Sequence, residues 1–261
     1  MSHLGVTLIV SAGALLVLMV ASWLLSLRLR DVSIVDVVWG LGFVIVAWLA
    51  FSLGHGDGAR RWLVAAMTTI WGLRLAIYIG RRKLREPGED FRYTDLRERT
   101  GERFALISLA SVFLLQGALI WVVSLPVSAA AVCDRTLRVL DYVGVALWAV
   151  GVFFEGVGDA QLARFKSDPA NRSKVMDRGL WRYTRHPNYF GDFCVWWGFY
   201  AVALASGAWW SIVSPLTMCA LLLRVSGKDR LEKALKSRRP GYEEYMARTS
   251  GFFPLPPRRR R

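Results

Sequence analysis

The sequence predicts an all-α fold, a polytopic membrane helical bundle of about seven transmembrane helices with the N-terminus outside and the C-terminus cytoplasmic. Three observations carry that expectation. Apolar residues make up 54% of the 261 positions and charged residues 21%, a balance shifted away from that of a soluble domain. Seven apolar runs approach the roughly 20 residues that one helical crossing of a hydrocarbon core requires. The 34 Lys and Arg residues are also divided very unequally among the segments that join those runs.

The runs lie near 6–27, 33–54, 62–80, 104–128, 139–163, 188–205 and 207–224. The first lacks the basic leader and small-residue cleavage site of a signal peptide, so it is expected to remain as a helix. The second follows Arg28–Asp31 and contains Asp36, and the third contains Arg74 and Tyr78. In the fifth, Gly144, Gly151 and Gly158 recur every seven residues, which suits close contact with another helix. Pro187 stands where the sixth can begin, and Ser206-Gly207 turns the short sixth run into the short seventh. Three hydrophilic stretches separate or follow these runs: 81–103, 164–188 and the tail from Ser226. The tail has helical spacing broken at Pro240-Gly241, then an apolar Phe252-Phe253-Pro254-Leu255 that returns to the surface, then a basic tail, 258–261, expected to be disordered.

With the N-terminus outside, the inner side holds Arg28 and Arg30, eight basic residues in 81–103, seven in 164–185 and twelve in 224–261. Arg60, Arg61, Arg135 and Arg138 fall outside. The net charge of +14 is therefore a topology signal with an added attraction to anionic headgroups, and no nucleic-acid partner is expected. Cys133, Cys194 and Cys219 are too few and too scattered for a disulfide framework or a Cys/His metal site, so no metal is expected. There is no internal repeat or low-complexity linker, and residues 1–261 read as a single membrane domain.

Charged groups within membrane helices are costly and mark functional positions or structural ion pairs. Asp36, Arg74, Glu155, Asp159 and Asp192 all fall within a few turns of the inner surface, about 5–15 Å deep at a rise of roughly 1.5 Å per residue. Glu155 and Asp159, four residues apart, share one helix face. Arg74, Arg164 and Lys166 are candidate partners for that pair, and Asp36 with Arg74 is a second pairing.

The stretch RGLWRYTRHPNYFGDF, 178–193, gathers further chemistry at the start of the sixth run. Arg172, Lys174, Arg178, Arg182 and Arg185, with His186, Asn188 and a helix N-terminus, suit phosphate or another polyanion. Trp181, Tyr183 and Tyr189 add aromatic faces, and Tyr189, Asp192 and Trp196 continue one face into the helix. An ordinary basic loop with an interfacial aromatic belt would carry the same residue types.

GLWRYTRHPNYFGDFCVWWG resembles the C-terminal signature of the steroid 5-alpha-reductase-like membrane proteins, most closely a bacterial branch. Weaker resemblance extends through SIVDVVWGLGF, WGLRLAIYIGRR, LREPGEDFRY and RRPGYEEYMARTSGFFP. The Arg-His-Pro-x-Tyr doorway is shared with isoprenylcysteine carboxyl methyltransferases and sterol reductases. The resemblance implies a bundle that encloses NADPH and admits a lipid or steroid-like substrate from the bilayer, at a bacterial plasma membrane. It places Glu155, Asp159, Arg164, Lys166, Lys174, Arg178, Tyr183, Arg185, His186, Asn188, Tyr189 and Asp192 around the cofactor, with Arg82, Arg85 and Tyr93 of an 81–103 loop closing over it and Tyr242 as a tail contact. Residues 1–128 would form the lipid-substrate side and 139–257 the cofactor part. The chain departs from the steroid enzymes at Asp36, Trp39 and Trp71, where they use a carboxylate and a tyrosine to polarise the ketone, and at Glu155.

The expected activity is NADPH-dependent reduction of a conjugated carbon–carbon double bond. Arg74 and Tyr78 would supply cation and acid, and Asp36 would orient Arg74. No GxGxxG fingerprint accompanies this. Two alternatives stay open: methyl transfer from S-adenosylmethionine through the same doorway, and a non-catalytic lipid-binding protein.

Overall fold

The computed structural model describes residues 2–86, 88–225, 232, 236 and 239–258. Among them every regular element is helical, and the β contact they make is an isolated parallel bridge between Thr184 and Ser250. Five stretches are long and apolar enough to cross a membrane: His3–Leu29 (α1), Ile34–Leu53 (α2), Gly58–Arg85 (α3), the continuous Phe91–Val123 and Val139–Ser167. The sixth and seventh expected spans fall on Pro187–Ala205 and on a shorter apolar stretch, Trp209–Leu223, both outside that set of five. The expected tail helix falls largely on 226–238, which apart from 232 and 236 lies outside the described residues, as do 259–261 of the basic tail.

Local chemistry explains where the helices begin and end. Ser2 caps α1 by accepting from the Gly5 amide at 3.2 Å, and Arg30, at φ 53°, closes it with an N–H to the Ser26 carbonyl. Asp57 accepts from the Arg60 amide to start α3, and Asp90 from the Arg92 amide to start α4 (Phe91–Thr100). The hydrophilic 81–103 stretch, expected as a loop, is thus mostly helix. Its Arg, Lys and Glu residues are good helix formers, α3 persists to Arg85, and a short link reaches Asp90. After a 3₁₀ turn at 101–103 the same rod continues as α5 (Phe104–Ser108), a π-helical turn (Leu109–Leu114) and α6 (Leu115–Val123). Ser124 breaks it, and Pro126 starts the buried α7 (Leu125–Ala131).

The chain divides into two compact units, residues 1–138 with 203–211 and residues 139–202 with 212–261. In the first, α2 and α3 meet at glycines: a Cβ on Gly40 would lie 2.5 Å from the Gly72 carbonyl oxygen, and one on Gly72 would lie 2.6 Å from that of Gly40. Trp39, Phe43 and Trp71 stack edge to face beside that contact, with centroids 5.4 and 5.3 Å apart. Gly117 of α6 brings its backbone onto Met19 of α1.

The second unit is built on α8 (Val139–Ser167) and α9 (Pro187–Ala205). The heptad-spaced glycines of α8 form their seam: Gly144 faces Gly198, Gly151 faces Gly191, and Gly158 receives the ring of Pro187. Helix α9 begins at Pro187, where the sequence allowed it. Helix α10 (Val213–Ala220) and α11 (Tyr242–Arg248) follow. The returning Phe252 and Phe253 pack across Phe190 and Phe193 of α9 at 5.6–6.4 Å between rings.

Candidate functional site

In the first unit a polar knot forms where the α1–α2 corner, the end of α3 and the start of α4 meet. Ser33 is its hub. Its hydroxyl donates to Asp31 at 2.5 Å and accepts from the Lys83 ammonium at 2.8 Å and the Asp90 amide at 3.1 Å. Glu89 accepts from the Val32 amide and from two nitrogens of Arg97, whose guanidinium lies 3.9 Å above the Phe104 ring. Burial works to raise the Asp31 and Asp90 carboxyls. Hydrogen bonds from Lys83 and Ser33 to the former, and from Arg92 to the latter, outweigh it and hold both below the usual carboxylate range.

One turn into α2, Asp36 receives two donors from α4. Arg92 donates to Oδ2 at 2.8 Å and the Tyr93 phenol to Oδ1 at 3.0 Å. Tyr93 is 7% exposed, and the Gln116 amide lies 3.5 Å from its hydroxyl. A buried phenol whose proton points at a carboxylate is an acid kept away from bulk water. Asp36 therefore takes its hydrogen bonds from Arg92 and Tyr93 rather than from Arg74, which corrects the expected pairing: α4 starts close enough to α2 to present two donors first. Arg74 and Tyr78 lie half-buried one turn apart on α3. Farther along this unit, an apolar recess of about 320 Å³ opens between α1 and α6, with Ala12, Leu15, Met19, Gly117 and Trp121 in its walls.

In the second unit the doorway folds against the tail. Thr184 donates to the Phe252 carbonyl at 2.8 Å, the Arg185 amide donates to Ser250, and the Leu255 amide donates to Tyr183. Tyr245 sends its buried hydroxyl to the Trp181 carbonyl at 2.5 Å, and the Trp181 indole donates to Gly158 at 3.0 Å. Arg185 is turned inward, pairing through Nε with Glu232 at 2.9 Å and donating through Nη1 to the Met246 and Thr249 carbonyls. His186, 1% exposed, shares Glu232 through Nε2 at 2.9 Å and stacks on Tyr189. Burial and the Glu232 charge push the Tyr242 phenol up to about 12.

The other expected residues divide clearly. Glu155 and Asp159 are buried on the glycine face of α8, with Glu155 against Gly191. Asp192 accepts from the Trp196 indole at 3.0 Å, and Asn188 accepts from the Tyr189 amide at 3.1 Å. Arg164, Lys166, Arg172, Lys174, Arg178, Arg182 and Tyr183 are exposed, as are Arg82 and Arg85 in the last turn of α3. Sequence reasoning missed Arg92, Gln116 and Glu232. Asp90, a helix cap two residues ahead of Arg92, was the available signal for the first; Glu232 sits in the tail with no local pattern that points to Arg185. Among the described residues no group of three or more His, Cys, Asp or Glu is placed to hold a metal ion.

The DUF1295 family, described as a protein of unknown function, matches residues 22–249. The chain belongs to this family. The steroid 5-alpha-reductase-like membership read from the doorway is thereby borne out. Among curated relatives of this DUF1295 chain, an uncharacterised protein of Schizosaccharomyces pombe is 24% identical over 89% of the chain and 75% of its own length. The 3-oxo-5-alpha-steroid 4-dehydrogenase 1 of Mus musculus is 37% identical over 82 residues, 31% of each chain. No solved structure matches.

Proposed function

We propose that the chain is a membrane oxidoreductase that reduces a conjugated carbon–carbon double bond of a lipid or steroid-like substrate with NADPH, in a bacterial plasma membrane. The observation that carries the reading is the Asp36–Tyr93 pair, a buried phenol oriented by a carboxylate on membrane-spanning helices. The mouse relative's name, a steroid dehydrogenase acting on a 3-oxo substrate, supports the reaction class.

The donor chemistry of the second unit fits a dinucleotide diphosphate. Arg164, Lys166, Arg172, Lys174, Arg178 and Arg182 expose their charges on the segments leading into α9, Tyr183 offers an open aromatic face, and the α9 N-terminus follows. Bound there, NADPH supplies the hydride. The remaining work falls to the chain. In this reading Tyr93 and Tyr78 are the candidate acids at the substrate carbonyl, Arg74 stabilises the oxyanion that develops as the β-carbon gains hydride, and Asp36 holds the Tyr93 proton in place. A proton then reaches the α-carbon, and the saturated ketone leaves. Residues 1–128 would serve the lipid, whose hydrocarbon part suits the recess at Gly117, and 139–257 the cofactor.

Titration of the purified protein with NADPH and, separately, with S-adenosylmethionine tests the reading by thermal stability. Stabilisation by NADPH is expected. Stabilisation by the methyl donor alone would replace reduction with methyl transfer, and no response to either would leave a lipid-binding protein.

A further inference from the structure

Glu232 behaves as an anion already bound to the doorway. It is 7% exposed, and three nitrogens converge on its carboxylate: Arg185 Nε at 2.9 Å, Arg185 Nη2 at 3.3 Å and His186 Nε2 at 2.9 Å. The next residue, Pro187, begins a 19-residue helix, whose N-terminal amides add positive potential beside the same groups. A forked guanidinium, an imidazole and a helix N-terminus together form a site for a tetrahedral oxyanion as readily as for a carboxylate.

The site does not depend on Glu232 for its shape. Arg185 Nη1 donates to the Met246 and Thr249 carbonyls at 2.9 and 2.8 Å, and the Arg185 amide donates to Ser250 at 2.9 Å. His186 is fixed by its amide bond to Thr184 Oγ1 at 3.3 Å and by the Tyr189 ring, 5.1 Å away and only 9° from parallel. With Glu232 withdrawn, the Nε–Nη2 edge of Arg185 and the imidazole would still face the space it leaves.

We propose that Arg185, His186 and the α9 N-terminus form a phosphate-class anion site that the chain holds closed with its own Glu232 carboxylate, so that a phosphate or diphosphate group enters by displacing it. The proposal rests on the reading of the second unit as a nucleotide site only where it identifies the natural ligand. Two anions cannot share three donors: the incomer must take the hydrogen bonds that Glu232 gives up, and the freed carboxylate must move toward water. Burial works to protonate Glu232, but its bonds from His186 and Arg185 prevail and hold its carboxyl below the usual range, so the competitor is charged at neutral pH. The tail therefore lowers the affinity of the empty doorway for any anion and rejects weak ones.

Inorganic pyrophosphate and NADPH serve as probes, with binding to the purified full chain read by calorimetry. Glu232→Gln is expected to bind pyrophosphate about tenfold more tightly than wild type, because a charged competitor becomes a neutral one. Adding Arg185→Gln to that variant should abolish the gain. Equal or weaker binding by Glu232→Gln, or a gain that survives Arg185→Gln, overturns the proposal. Should Glu232→Gln not fold, hydrogen exchange on the wild-type chain decides: saturating pyrophosphate should raise exchange in the peptide containing Glu232 while α9 stays protected, and an unchanged or slower peptide overturns the idea. A pyrophosphate gain with no NADPH response keeps the clasp and sinks the cofactor reading. Equal NADPH affinity in both proteins, with no exchange change at Glu232, does the reverse.

Discussion

Gly151 and Gly191 touch backbone to backbone: a Cβ on Gly151 would lie 2.5 Å from the Gly191 carbonyl oxygen, and one on Gly191 would lie 2.6 Å from that of Gly151. The obstructing atoms belong to main chain, which cannot swing aside, so α8 and α9 must separate to admit a side chain. Gly151→Leu and Gly191→Leu should each cost on the order of 3 kcal/mol or prevent folding. Gly156, with nothing within 4 Å of a Cβ, provides the control. Gly156→Ala should be neutral or slightly stabilising. Thermal unfolding in detergent measures all three, and a Gly151→Leu protein as stable as wild type would refute the seam.

The Asp36–Tyr93 contact carries the proposed chemistry. Tyr93→Phe removes the phenolic proton and keeps the ring, so reduction should slow by about 10²-fold or more. The NADPH-induced rise in Tm should persist. Asp36→Asn should slow the reaction as well, since the amide orients Tyr93 less strongly. Single-turnover rates on a lipid enone check both, and full activity in Tyr93→Phe would remove Tyr93 from the mechanism.

Trp181 links α8 to the tail through two bonds, one donated by its indole to Gly158 and one accepted by its carbonyl from Tyr245. Trp181→Phe and Tyr245→Phe should each cost about 1 kcal/mol. Because both bonds pass through one residue, the double variant should lose a different amount from the sum of the singles. A double-mutant cycle on unfolding free energies reads the coupling.

Stability should also depend on pH at both extremes. The folded-state pKa values of Asp31 and Asp90 lie below their ordinary 3.8, so their contribution is present above that value and disappears as pH falls through the folded pKa. Asp90→Asn should flatten the acid limb. Tyr242 is shifted the other way, from 10.0 to about 12, so its contribution is present below pH 10 and lost as pH rises toward 12. Tyr242→Phe should flatten the alkaline limb. Thermal midpoints recorded across pH test both signs.

The helices were legible because hydrocarbon leaves a local signature: long apolar runs, a glycine every seventh residue in α8 and a proline at the head of α9. What escaped was pairing at a distance. Asp36 was matched with Arg74 because both are charges in adjacent apolar runs, whereas its partners, Arg92 and Tyr93, lie 56 and 57 residues downstream. They come within reach because Asp90 starts a helix inside a stretch whose charge density reads as loop. Glu232 is 47 residues from Arg185, and the sequence between them holds two other acids, Asp192 and Asp229, so spacing alone could not select it. The exposed doorway cations were legible as a group, but the inward turn of Arg185 was not, because it depends on carbonyls from the far side of the tail.

The π-helical turn at Leu109–Leu114 packs more chain into its length than an α-helix would. It therefore acts as an angular offset: whatever follows is rotated about the rod's axis relative to an uninterrupted helix. Relaxing the turn to α geometry with every residue retained would swing the downstream segment by about 100°, carrying Gly117 away from Met19 and the Trp121 indole away from the Leu8 carbonyl it now meets at 2.9 Å. The width of this one turn thus sets the azimuth of Leu115–Val123, so a relative one residue shorter keeps its contact with α1 by replacing the turn with plain α-helix, whereas one that loses the turn at equal length must rebuild that contact.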